Sequence, residues 1–145
     1  VVLTIFIPML MDTGGNSGSQ SSVTVIRALS LGEIEFPDIL RVIWKEIRAA
    51  VICGAVLSIA CFGKIMLVDR LLMNNPAVTP MVGLAVCLTM VVTVCVAKII
   101  GCTLPMIAKK LGFDPAVMAS PFITTIVDAV SLLVYFGIAS ALLHL

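Results

Sequence analysis

The chain has 145 residues, of which 61% are hydrophobic and only 12% are charged. A soluble domain is nearer half apolar and a quarter charged, so this composition predicts an all-α integral membrane protein. The net charge of +1, without a dense cluster of Lys and Arg, gives no sign of nucleic-acid binding. The five cysteines form no C-x-x-C pair and catalytic signatures are absent, so we expect no enzyme.

Hydrophobic segments separated by polar turns predict one transmembrane domain over residues 1–145. We expect four membrane helices, over residues 1–31, 38–66, 80–108 and 115–143. The chain begins inside an apolar run without the basic stretch that opens a signal peptide. We therefore expect a piece of a longer protein, cut within or just before a helix.

Positive charge predicts how these helices are oriented in the cell membrane. The turns after the first segment and before the fourth lie on one side, and Lys64 and Arg70 lie near the opposite side. Cytoplasmic loops carry an excess of Lys and Arg, so the side with six cations is expected in the cytoplasm and the C-terminus outside. For Lys98, within the third segment, snorkelling and facing the bundle both stay open. The six cations are Arg27, Arg41, Lys45, Arg48, Lys109 and Lys110.

Asp128 is an acidic residue in the middle of the apolar fourth segment. It lies 14 residues beyond Asp114, about 21 Å along a helix, and Asp12 lies a similar distance before Arg27. A carboxylate at mid-bilayer costs roughly 2.5–3.5 kcal/mol on insertion scales, so it normally faces a bundle interior or a wet cavity. We therefore expect the first and fourth segments to line one polar cavity.

Polar residues recur at three- and four-residue steps along the fourth segment and predict one stripe on an apolar helix. Taken singly, Thr and Ser are often bonded to the backbone or packed between helices. With Asp128 among them, a pore-lining or ion-binding stripe is the stronger interpretation. Its members are Pro121, Thr124, Asp128, Ser131 and Tyr135, and the pore-lining candidates on this segment are Pro121, Thr125 and Ser131.

A glycine-rich polar run interrupts the first segment between Asp12 and Gln20. Irregular or closely approached backbone is tolerated at membrane depth only where it is buried in protein or faces water. A packing face of small residues would explain some of the glycines but not the acid and the amides. We therefore take the run as a pore wall, with the candidates Asp12, Gly14, Gly15, Asn16, Gly18 and Gln20.

The residue types indicate a hard cation. Carboxylates, amides, hydroxyls and carbonyls are oxygen ligands, with no nearby His or Cys to favour a softer metal. Mg²⁺ keeps several waters and often needs only one or two carboxylates. A sparse acidic site therefore fits a partly or fully hydrated Mg²⁺, and two copies of the chain about a two-fold axis would double its charge.

Two stretches resemble the MgtE family of magnesium channels. Residues 8–20 with 27–33 are similar to that family's second membrane helix, and residues 114–116, 121–125 and 127–128 to its fifth. The resemblance implies a homodimer with five membrane helices per subunit, of which this chain carries the second to the fifth, and a Mg²⁺ pore at the dimer axis. The first helix and cytoplasmic regulatory domains would be missing.

The resemblance also implies roles for two residues. Asp128 would supply the ion-selecting carboxylate from each subunit, and Thr124 would offer its backbone carbonyl to the hydrated ion. No role is implied for Asp12. The expected function is passive, Mg²⁺-selective transport; the alternatives are a secondary transporter exchanging a divalent cation for H⁺ or Na⁺, and a non-conducting assembly module.

Overall fold

The computed structural model describes residues 2–118 and 120–143, and within those ranges its regular elements are all helices. Short 3₁₀ turns precede three of the helices, and the second continues as a π-helix (Ile65–Leu72). The all-helical prediction is confirmed. The four α-helices are α1 (Ile7–Ser30), α2 (Ile39–Lys64), α3 (Pro80–Lys110) and α4 (Ser120–Leu143).

Three described helical stretches are long and apolar enough to cross a membrane. They are Phe36–Leu72, Pro80–Lys110 and Pro121–Leu143, with mean hydropathies of 2.3, 2.4 and 2.1. Each exceeds the roughly 20 helical residues that span a hydrocarbon core, which confirms a helical membrane bundle. Helix α1 falls below this apolar threshold because it contains the polar run, and its crossing of the membrane stays a prediction.

Helix α3 occupies the centre of the bundle. It packs against α1, α2 and α4, while α1 also packs along α4 and α2 rests chiefly on α3. The opposite side of α2 is apolar and exposed, at residues such as Leu40, Ile52 and Ile59. Such a surface suits lipid, and the arrangement leaves α1 and α4 side by side with a face of their own.

The polar run interrupts the hydrophobic pattern of this segment but not the helix, because α1 is continuous from Ile7 to Ser30. Gly14, Gly15 and Gly18 are buried on the side of α1 that faces its neighbours. Tertiary packing stabilises helical backbone that glycine alone would disfavour. The expected close backbone approach is confirmed, because Gly101 of α3 lies directly against the backbone of Gly18.

Side-chain hydrogen bonds stabilise two of the turns at the helix ends. The backbone N–H of Glu35 donates to Oδ2 of Asp38 at 3.0 Å, within a capping box that leads into α2. Asp114 caps the 3₁₀ turn Pro115–Met118, accepting from Ala116 N at 2.9 Å, and α4 begins after that turn rather than at Pro115.

Candidate ion site

Asp128 of α4 lies across from Gly15 of α1. A β-carbon at residue 15 would be 3.2 Å from Cγ2 of Thr124 and 3.6 Å from Oδ1 of Asp128. Because Gly15 has no side chain, the backbone of α1 lies close to the Asp128 carboxylate. Within the described part of the chain, the half-buried Asp128 side chain has no hydrogen bond or ion pair. The carboxylate is left available for a cation or a proton.

The face of α1 beside Asp128 is polar and exposed. Asp12, Asn16 and Gln20 follow one another at four-residue steps, and all three are exposed. The carboxylates of Asp12 and Asp128 lie near enough to interact electrostatically. Two like charges in a membrane domain repel each other, and a cation between them relieves that repulsion.

An open groove of about 530 Å³ continues along the same side of α1. It is lined by polar groups that include Asn16, Ser19, Gln20 and Thr24. Amide and hydroxyl oxygens are acceptors that suit the waters around a hydrated cation. The groove extends the polar surface from the two acids toward the C-terminal end of α1.

Several pore-lining candidates lie between helices of the same chain. A β-carbon at Gly14 would be 2.8 Å from Cγ2 of Thr93 and 2.9 Å from Oγ of Ser131, and one at Gly18 would be 3.1 Å from the Ala97 carbonyl. Ser131 is 3% exposed and donates to the Val127 carbonyl at 2.6 Å. In the isolated chain these residues serve helix packing.

The other polar residues of α4 donate hydrogen bonds to backbone carbonyls, of α4 itself or of the chain before α1. Thr124 Oγ1 and Thr125 Oγ1 both donate to the Pro121 carbonyl, at 3.0 and 2.9 Å. Tyr135 is fully buried and donates to the Leu3 carbonyl at 2.9 Å. The predicted stripe is therefore divided: Pro121 is exposed, Thr124 and Asp128 are half-buried, and Ser131 and Tyr135 face the core. Thr125, the pore-lining candidate beside the stripe, is exposed.

The described residues contain no group of three or more His, Cys, Asp or Glu side chains positioned to hold a metal ion. The free cysteines lie apart from Asp128, in apolar surroundings or toward the surface. One or two carboxylates can hold a hydrated Mg²⁺ through its waters.

Sequence reasoning missed a polar cluster that joins three helices. Lys98 Nζ of α3 lies 3.2 Å from Oε2 of Glu46 on α2 and 3.1 Å from Oγ of Ser21 on α1. Ser21 donates to the same glutamate oxygen at 2.5 Å. The Lys98 and Glu46 side chains are only 12% and 11% exposed, so Lys98 faces the bundle. The sequence pattern that could have predicted a buried Glu46 is its four-residue spacing from Val42 and Ala50, which lie with it on the buried side of α2.

Known proteins resemble this chain over almost its whole length. The family model of MgtE, described as a divalent cation transporter, matches residues 7–138. Three proteins named magnesium transporter MgtE are similar: one from Bacillus subtilis at 38% identity, one from Enterococcus faecalis at 36% and one from Thermus thermophilus at 34%. The alignments cover 99%, 96% and 98% of this chain, respectively.

The chain spans about 30% of the length of these relatives. They therefore contain regions that have no counterpart in it. The family match, however, includes α1, α2 and α3 entirely and nearly all of α4, together with every candidate site residue. The chain belongs to the MgtE family of divalent cation transporters.

Proposed function

We propose that this chain forms half of a passive pathway for Mg²⁺ across the cell membrane. The observation that carries the proposal is the unpaired carboxylate of Asp128, set against Gly15 on a polar face of an otherwise apolar bundle. Exposing this face and its two acids to lipid would be costly, so it faces water or another protein surface. Relatives named as magnesium transporters support Mg²⁺ as the ion.

A second copy of the chain completes the pathway in this proposal. One chain offers Asp128 and Asp12 on an open face, which leaves the other side of an ion unenclosed. A two-fold axis beside α1 and α4 would bring two such faces together, as dimers commonly do with one self-complementary surface. The pore then lies at the dimer axis and holds up to four carboxylates.

The hydrated ion is held through its waters. Mg²⁺ gives up its water reluctantly, and direct ligation would require oxygens at about 2.1 Å on six sides. Asp128 oxygens at roughly twice that distance, about 4–5 Å, would instead accept hydrogen bonds from bound waters. The Thr124 carbonyl contributes in the same way, and Asn16, Gln20 and Thr125 supply polar groups along the path.

The orientation follows from charge. The helix ends on the cytoplasmic side carry six cations, and the C-terminus lies on the extracytoplasmic side. These cations are Arg27, Arg41, Lys45, Arg48, Lys109 and Lys110. Val1 and Leu145, the two ends, fall outside the described residues. Regions present in the longer relatives would add a first membrane helix and the cytoplasmic domains that regulate opening.

The test is Mg²⁺ uptake into liposomes that contain the protein. Uptake should follow the Mg²⁺ gradient and the voltage when no H⁺ or Na⁺ gradient is present, and Asp128→Asn should abolish or greatly reduce it. The matched control is Asp114→Asn, which keeps a capping oxygen outside the site and should conduct normally. Wild-type uptake in folded Asp128→Asn protein would overturn the assignment, and uptake that requires an H⁺ or Na⁺ gradient would replace the channel with an exchanger.

A further inference from the structure

A separate cavity opens between the end of α1 and the start of α2. Its volume is about 420 Å³, and its charged lining residues are Arg27, Glu33, Arg41, Lys45 and Glu46. Helix α2 packs chiefly on α3, so the gap between α1 and α2 stays open at this end of the bundle. The cavity lies at the membrane boundary where the basic residues of the chain collect.

The charge balance of the cavity is positive. Glu46 is already paired with Lys98, which approaches it from α3. Among residues 2–118 and 120–143, the side chains of Arg27, Arg41 and Lys45 take part in no ion pair or hydrogen bond. Three unpaired cations thus face one unpaired acid, Glu33. This favours an anionic ligand and disfavours Mg²⁺, so the cavity is distinct from the ion site.

The surroundings of the cavity are those of a lipid interface. Trp44, which is 61% exposed, sits beside Lys45 on α2, and Arg48 lies over its ring at 6.0 Å. Tryptophan and basic residues are typical of the headgroup level of a membrane. One turn before Trp44, Leu40 is 76% exposed and begins the apolar outer face of α2. A molecule held at the cavity by charge would find apolar surface alongside it.

We propose that this cavity binds the headgroup phosphate of an anionic phospholipid, whose acyl chains lie along the exposed face of α2. Basic pockets between membrane helices are suited to such headgroups. Arginine provides several N–H donors in a planar fork that matches phosphate oxygens. The apolar face explains why a lipid fits better than free phosphate, which would use only the charged part of the site. The proposal is independent of Mg²⁺ conduction.

Trp44 makes the proposal measurable because it is the only tryptophan in the chain. The protein is reconstituted in phosphatidylcholine vesicles that contain either brominated phosphatidylglycerol or brominated phosphatidylcholine, and quenching of Trp44 gives their relative affinity. Phosphatidylglycerol should be clearly preferred. Arg41→Gln should lower the preference by up to about fivefold, the effect of one basic group near an anionic surface. The triple variant Arg27→Gln/Arg41→Gln/Lys45→Gln should remove it.

Controls separate the cavity from other sources of the signal. Arg70→Gln, near the other end of the bundle and outside the cavity, should keep the preference. Lys45→Arg retains the charge and should keep it as well. If the triple variant fails to fold, the single variants Arg27→Gln, Arg41→Gln and Lys45→Gln still test the proposal, because each should lower the preference. Equal quenching by both lipids, an equal loss in Arg70→Gln, or displacement by inorganic phosphate would each overturn the proposal.

Discussion

Gly18 of α1 and Gly101 of α3 bring the backbones of two helices into direct contact. A β-carbon at Gly101 would overlap the carbonyl oxygen of Gly18, and one at Gly18 would lie 3.1 Å from the Ala97 carbonyl. Small residues are what allow membrane helices to approach this closely, since packing replaces the hydrophobic effect as the attraction between them. This contact therefore sets how closely α1 lies against α3.

Gly101→Ala should therefore destabilise the protein. The methyl group collides with backbone that cannot move aside, and overpacking of this kind costs about 1–3 kcal/mol. The loss should outweigh alanine's advantage in helix propensity of about 1 kcal/mol. Thermal unfolding in detergent, followed by circular dichroism, measures it. Gly63→Ala and Gly137→Ala are matched controls, because no atom lies within 4 Å of the added carbon and both should be neutral or stabilising.

The buried pair of Lys98 and Glu46 should be sensitive to the loss of either partner. Lys98→Met leaves Glu46 charged and almost enclosed, and breaking a buried pair in this way costs about 3–5 kcal/mol. The double variant Lys98→Met/Glu46→Gln should lose less than the two single variants together, because no unpaired charge remains. Unfolding midpoints of the four proteins form a double-mutant cycle. Additive losses would mean that the two residues do not interact.

Lys64 and Asp69 provide the comparison for that cycle. Their N–O distance is 2.8 Å, but the Lys64 side chain is 48% exposed. Ion pairs open to solvent contribute about 0–1 kcal/mol. Lys64→Met should therefore lower the unfolding midpoint much less than Lys98→Met, and an equal effect would show that burial is not what makes the Lys98 pair important.

The helices could be predicted from the sequence, but their rotation could not. Apolar length and polar turns are local signals, so the four segments and the comparable depth of Asp12 and Asp128 followed from spacing. Which residues of α4 face outward depends on how α1 packs against it. That packing turns Ser131 toward Gly14 and leaves Asp128 half-exposed. The contact between Lys98 and Glu46 likewise joins separate helices, and no local pattern pairs them.

Cobalt hexammine should compete with Mg²⁺ for the site at Asp128. This cation keeps its six ammine ligands, so it resembles a hydrated ion and can be held only through its outer shell. If Mg²⁺ is held through its waters, the complex should inhibit Mg²⁺ uptake into liposomes. Uptake that is insensitive to the complex in the wild-type protein would indicate that the carboxylates ligate a dehydrated ion directly. Residual uptake in Asp128→Asn should be far less sensitive.

Gly15→Leu should impair Mg²⁺ uptake without changing any charge. The β-carbon of a side chain at this position would already lie 3.2 Å from Cγ2 of Thr124 and 3.6 Å from Oδ1 of Asp128. Leucine must therefore displace the carboxylate or push α1 away from α4, and either movement alters the polar face that we propose as the wall of the pathway. Gly15→Ala, with one carbon against a threonine methyl group, should have a smaller effect. Liposome uptake of the folded variants measures both.

Val92→Leu is the control for the added bulk, because residue 92 is half-buried on α3, a helix that carries neither acid; it should conduct almost normally. Gly18→Leu tests the same wall where α1 packs on α3 and α4, because the leucine side chain would collide with Ala97 and Ile123. If Gly15→Leu and Gly18→Leu both conduct like the wild type, α1 does not form a wall of the pathway. The ion would then have to pass Asp128 along a surface that excludes α1, although Gly15 lies directly opposite that carboxylate.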